Sequence, residues 1–146
     1  MKDLLSDICV ELHVPNFTPA KEFYQSIGYE IIWEKNDYLV MRNGKSVLNF
    51  YGGNEGVYEH EYFKNFQPTS PRGYGVEIII PIVGIEKFYS GFLATNSKHV
   101  VAELSQKHSH ADFRATDPFG YYLRFVEKYN WVDGRNSDGT PVVNQI

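Results

Sequence analysis

The sequence predicts an α+β fold, two tandem βαβββ modules forming a curved mixed sheet with a concave groove and helices on its convex side. Three observations predict it. Strand-like and helix-like runs recur twice in the same order. Short echoes match the halves at a spacing of about 65 residues: Val10-Glu11-Leu12 with Val76-Glu77-Ile78, and Phe23-Tyr24 with Phe88-Tyr89. Apolar side chains alternate along the strand-like runs with the period that buries one face and frees the other.

The first strand is "DICVELHV", with Val10, Leu12 and Val14 on the core face and Cys9, Glu11 and His13 on the other. "PNFTPAKEFYQSIGY" follows, where Asn16 or Thr18 caps a helix, Pro19 suits its first position and Gly28 stops it. Three strand runs come next, "YEIIWEK", "DYLVMRN" and "KSVLNFY", with Asn43-Gly44 turning the last hairpin. Module one thus covers about 7–51, and a polar connector fills 52–73. In module two, about 74–127, "GVEIIIPIVGIEKFYSGFLAT" gives a strand and a helix, then "HVVAEL", "ADFRATD" and "YYLRFVE" give strands; a tail occupies 128–146. One βαβββ unit has one helix to cover one sheet face, so the opposite face is where function is expected.

Composition narrows the classes. The 146 residues suit a single domain, and a 42% hydrophobic share can fill a core. With 11 Tyr, 10 Phe and 2 Trp, amphipathic rings are plentiful enough to line a cavity or an interface as well. Net charge is −4 with scattered basic residues, which excludes the basic stripe of a nucleic-acid binder. No apolar run approaches the ~20 residues of a membrane span, and "MKDLLSDICVEL" lacks a signal peptide's pattern. The lone Cys9 admits no intrachain disulfide. A cytoplasmic protein with no membrane and no nucleic-acid partner is expected.

Alternation also assigns the faces of the later strands. Val47, Asn49 and Tyr51 lie opposite the core residues Leu48 and Phe50; Glu77, Ile79 and Pro81 lie opposite Ile78, Ile80 and Ile82. Tyr122, Arg124 and Val126 likewise oppose Leu123 and Phe125, so a permanent cation, Arg124, sits on the functional face. Trp33, Tyr38, Tyr51, Tyr122 and Trp131 are candidate lining rings. His99, His108 and His110 read as exposed loop histidines, "YEHEYF" as a solvated segment, and "DGRNSDG" as a flexible tail whose spacing is wrong for a calcium loop.

The doubled element order, "NFTPAKEFYQSIGYE" and above all "DPFGYYLRF" resemble the vicinal oxygen chelate superfamily over about 7–127. That group includes glyoxalase I, extradiol dioxygenases, fosfomycin-modifying enzymes and the metal-free bleomycin resistance proteins. The resemblance places the family's metal-holding positions on Cys9, Asn49, Glu77 and Arg124. Glu77 alone is a good ligand for a hard metal; an amide is poor and a guanidinium has no lone pair to give. A lost metal site is therefore expected, with Glu77 and Arg124 ion-paired across the module boundary. The echo of Val-Glu-Leu equally matches Glu77 to Glu11, which puts Glu11 and His13 in play as an alternative cluster.

The resemblance implies a metal-independent, homodimeric small-molecule binder without a cofactor, of the bleomycin-resistance kind. It would sequester an amphipathic or aromatic ligand, such as an antibiotic, on His13, Glu11, Asn49, Tyr51, Glu77, Tyr122, Arg124 and Trp33. The alternatives are a glyoxalase-type lyase or isomerase with atypical metal ligands, and a protein-interaction module using its aromatic surface.

Overall fold

The computed structural model describes residues 8–65, 71–106, 110–130, 135–136 and 139–141. The fold is α+β, and the chain divides into two compact units, Met1–Pro71 and Arg72–Ile146. Among the described residues no helix is long and apolar enough to cross a membrane.

Unit one runs β1 (Glu11–Val14), α1 (Phe17–Ser26), β2 (Glu30–Lys35), β3 (Tyr38–Asn43) and β4 (Ser46–Gly52). Its sheet has the order β1-β4-β3-β2, with β1 parallel to β4 and the other pairs antiparallel. The helix begins earlier than Pro19 suggests. Asn16 Oδ1 accepts from the Thr18 amide at 3.0 Å, so the first turn starts at Phe17. Pro19 then sits inside that turn, where its missing N–H leaves nothing unpaired. The end follows from Gly28 at φ +103°: Gly28 N donates to Gln25 O at 3.1 Å and Tyr29 N to Tyr24 O at 2.9 Å, a Schellman closure. Phe17, Ala20, Phe23 and Tyr24 are the buried face of α1, and the Tyr24 ring meets Phe50 of β4 at 5.2 Å between centroids. In the β3–β4 hairpin Asn43 pairs with Ser46, leaving a tight loop in which Gly44 takes φ +60°.

Unit two repeats the plan with β5 (Glu77–Ile82), α2 (Ile85–Asn96), β6 (Val100–Ser105), β7 (Asp112–Thr116) and β8 (Tyr122–Glu127), in the order β5-β8-β7-β6. Here too the pair containing the first strand, β5 with β8, is parallel. The core is aromatic: Phe113 and Phe125 stack at 4.8 Å, and Phe92 of α2 lies 5.1 Å and 5.5 Å from them. Glu127 ties the sheet to the helix start, its Oε2 accepting from the Gly84 amide at 3.0 Å. A short pair, β9 (Tyr129–Asn130) with β10 (Arg135–Asn136), follows.

The alternation rule gives the right faces with two exceptions. Val10, expected in the core, precedes β1 and is 40% exposed. Val126 is fully buried although it shares a face with Arg124, because it pairs with the buried Asp112 and that end of the face is closed. His108, Trp131, Asp133 and Asp138 lie outside the described residues.

The turn between β7 and β8 is built by Asp117. Its buried Oδ1 accepts from the Phe119 and Tyr121 amides, each at 2.9 Å, and its own amide donates to Tyr121 O at 2.9 Å. Asp117→Ala removes the acceptor of two amides and is expected to cost about 1–3 kcal/mol of unfolding free energy by chemical denaturation, with Asp117→Asn losing less. A loss within about 0.5 kcal/mol, the range of an ordinary surface change, contradicts this role.

Candidate functional site

Strand register places the side chains of each sheet in cross-strand rows, since directly opposed residues share a face. On the non-core face of unit one, one row runs Glu11, Asn49, Val40, Trp33, and the next runs His13, Tyr51, Tyr38, Lys35. Five of the residues expected to bind a ligand therefore stand together: Glu11, His13, Trp33, Asn49 and Tyr51.

Their contacts are specific. His13 Nε2–H donates to Glu11 Oε2 at 3.0 Å, which fixes the ring against Tyr51 at 5.0 Å. Tyr38 stands diagonally across from Glu11 and Asn49, near enough for both to act on its phenol. Burial, chiefly, and then the Glu11 carboxylate push its phenol up to about 12. Trp33, 43% exposed, stacks on Tyr38 at 5.6 Å and 22°, with Lys35 Nζ 5.4 Å from the Trp33 ring.

The connector adds His60, which the sequence placed in a solvated segment. After a 3₁₀ turn over Glu55–Glu59, His60 Nδ1 accepts from the Tyr62 and Phe63 amides at 3.0 and 3.1 Å. The neutral ring thus carries its proton on Nε2. His60 packs 5.0 Å from His13 and 4.8 Å from Phe63, and Phe63 lies 5.0 Å from His13. "YEHEYF" is accordingly not simply solvated: its histidine and Phe63 flank the site. The amide-capped geometry of His60 leaves no sequence signature, because it depends on the turn that brings the Tyr62 and Phe63 amides to Nδ1. A separate open depression of about 450 Å³, lined by Gly28, Glu30, Arg42, Asn43, Gly44 and Lys45, lies at the β3–β4 hairpin and contains none of these rings.

The non-core face of unit two has the same frame and different chemistry. Its rows are Glu77, Tyr122, Thr116; then Ile79, Arg124, Arg114; then Pro81, Val126, Asp112. The expected ion pair between Glu77 and Arg124 is not the one formed, and both residues belong to unit two. Arg124 Nε donates to Asp112 Oδ2 at 2.7 Å, while Arg114 Nε donates to Glu77 Oε1 at 3.1 Å. The reason is diagonal reach: each arginine meets a carboxylate one row away, Arg124 on the neighbouring β7 and Arg114 across β8 on β5. The bond to Glu77, foremost, and the charge of Asp112 push the Arg114 guanidinium further up.

Packing against the helices bears on which residue of unit one corresponds to Glu77. Leu12 pairs with Phe50 against Tyr24 of α1 as Ile80 pairs with Phe125 against Phe92 of α2, which matches Cys9 to Glu77, and Cys9 is exposed and precedes the strand. Two expected loop histidines need correction. His110 is buried and stacks on Tyr129 at 3.7 Å and 10°; His99 is half-buried in a 3₁₀ turn, and burial followed by the neighbouring Lys98 holds its imidazole below the usual range.

These donors do not fit a divalent ion. Each unit's row offers one carboxylate, already engaged by a phenol and an imidazole in unit one and by a guanidinium in unit two, beside an amide and a phenol. Among the described residues no three His, Cys, Asp or Glu side chains are grouped to hold a metal.

Tyr38 supplies a pH readout. Its ionisation, followed by phenolate absorbance, is expected near 12, and Glu11→Gln should bring it down toward the ordinary 10. Because the folded value is the raised one, this group's contribution to stability is complete below pH about 10 and is lost as pH rises toward 12. An unchanged titration in Glu11→Gln contradicts the contact.

Comparison with known proteins finds no matching family model and no matching curated protein. Solved structures do match. A glyoxalase/bleomycin resistance protein/dioxygenase family enzyme from Burkholderia phytofirmans superposes with a TM-score of 0.66 at 17% identity, covering 86% of this chain and 98% of that one. A bleomycin-binding protein complexed with bleomycin gives a TM-score of 0.58 at 17% identity, over 84% and 98%. The bleomycin resistance determinant encoded on transposon Tn5 gives 0.57 at 14%, over 84% and 98%. With its parallel first-and-last strand pair in each module and its doubled βαβββ order, the chain has the vicinal oxygen chelate fold.

Proposed function

We propose that this protein is a metal-independent binding protein that sequesters an amphipathic, aromatic small molecule. The observation that carries the reading is the non-core face of unit one, where Trp33, Tyr38, Tyr51, His13, His60 and Phe63 surround one carboxylate. Exposed rings supply stacking area at little entropic cost, and Glu11 and Asn49 supply the few polar anchors that orient a ligand. Sequestration needs no reacting group, which agrees with a face whose carboxylate is committed to hydrogen bonds.

A bleomycin-binding protein shares the fold, so a binding role without chemistry is one this architecture supports; fold alone does not name the ligand. In this reading the protein acts in the cytoplasm as a homodimer. The exposed Ile31 and Ile32 on the edge strand β2 give a second copy apolar surface to cover, and an exposed thiol at Cys9 suits a reducing compartment. The glyoxalase-type alternative rests on the Glu11–His13 pair at 3.0 Å, which would need to surrender its hydrogen bond to hold a metal.

Titration with benzamide, a planar amphipathic probe, followed by amide chemical shifts, tests the reading. Saturable shifts confined to β1, β3, β4 and residue 33 are expected, unchanged after chelator dialysis, and Trp33→Ala should weaken binding about threefold to tenfold. A stoichiometric divalent ion that survives dialysis, or a requirement for one, overturns metal independence; the absence of saturable shifts overturns the site.

A further inference from the structure

Two guanidiniums stand side by side on the non-core face of unit two with much of their hydrogen-bonding capacity unspent. Arg114 of β7 and Arg124 of β8 are directly opposed in register. Each is gripped by its Nε edge, Arg124 by Asp112 at 2.7 Å and Arg114 by Glu77 at 3.1 Å. A guanidinium has five N–H donors, so a carboxylate that takes the Nε leaves the terminal amino groups to other acceptors. Arg114 Nη2 lies 3.7 Å from Asp112 Oδ2, too far for a hydrogen bond. Among the described residues no acceptor bonds to the terminal nitrogens of either side chain.

The surroundings suit a ligand. The Arg124 and Arg114 side chains are 17% and 27% exposed, shielded enough to strengthen a charge-assisted bond yet reachable from solvent. Asp112 is buried and holds its arginine in place, whereas Glu77, 36% exposed, can rotate off Arg114 and yield to an incoming oxyanion. The Tyr122 ring stands beside Glu77 in the same row.

We infer that the Arg114–Arg124 pair is an oxyanion seat on the face of unit two, taking a carboxylate or a phosphate monoester beside the Tyr122 ring. The inference stands on unit two alone and goes beyond the binding-protein reading, which rests on unit one. The forked geometry of the two side chains favours a planar or tetrahedral oxyanion over a monatomic anion.

Benzoate and phenyl phosphate, with benzamide as the uncharged counterpart at matched ionic strength, test this on the intact protein. The readout is the arginine Nε–Hε resonances. Saturable movement of the Arg114 and Arg124 signals is expected with benzoate or phenyl phosphate and not with benzamide; a response to one anion alone identifies which oxyanion the seat prefers. Arg114→Gln should weaken the anion about tenfold, and Arg114→Lys, which keeps the charge but loses the fork, should weaken it as well. Both variants leave the buried Asp112–Arg124 pair intact. The inference is overturned if neither anion moves these signals saturably, or if Arg114→Gln binds as tightly as the parent. Benzamide shifts at Trp33 in that case leave the binding-protein reading standing, so the two fail separately.

Discussion

The buried carboxylate of Asp112 is the constraint on which the second face depends. The register of β7 and β8 sets Arg114 directly opposite Arg124, an arrangement in which two like charges repel. Asp112, one row away, resolves the conflict with a 2.7 Å bond to Arg124 and a 3.7 Å approach to Arg114, and Glu77 completes the set. Two cations and two anions alternate through the cluster. Asp112 in turn is buried with Val126 closing that end of the face, so its charge is compensated only while the arginines remain. A guanidinium fixed in this way is part of the wall and is not available to leave.

The internal repeat survives in strand order and pairing. In each unit the first strand runs parallel to the last, and the helix packs an aromatic ring on the last strand, Tyr24 on Phe50 and Phe92 on Phe125. The frame is common, and what hangs on it has diverged. Unit one carries rings, with a histidine and Phe63 from the connector closing on His13; unit two carries paired charges.

Much of this was legible in the sequence because it follows from local rules. Period-two alternation placed Glu11, His13, Asn49, Tyr51, Glu77, Tyr122 and Arg124 on non-core faces without any coordinates, and Asp117-Pro-Phe-Gly and Asn43-Gly44 marked their turns. What alternation cannot give is register. Whether Arg124 meets Glu77 or Asp112 depends on which rows align across strands far apart in sequence, and a two-residue slip leaves every face unchanged while exchanging every partner. The same ambiguity left Cys9 and Glu11 as rival equivalents of Glu77, and only the packing of Phe50 and Phe125 on their helices matches Cys9 to it. His60 and His110 were misjudged for another reason: in polar stretches a histidine reads as solvated, yet its ring packs on an aromatic neighbour when one is near, as both do here.

The central claim is that Arg124 is pinned to the sheet by Asp112. A double-mutant cycle on unfolding free energy, using Asp112→Asn, Arg124→Gln and the combined variant, measures that bond directly. The account predicts a coupling of about 1.5 kcal/mol or more, with the double variant more stable than the two single losses together imply. Additive losses, within about 0.5 kcal/mol, would mean that the carboxylate does not hold the guanidinium and would contradict the account.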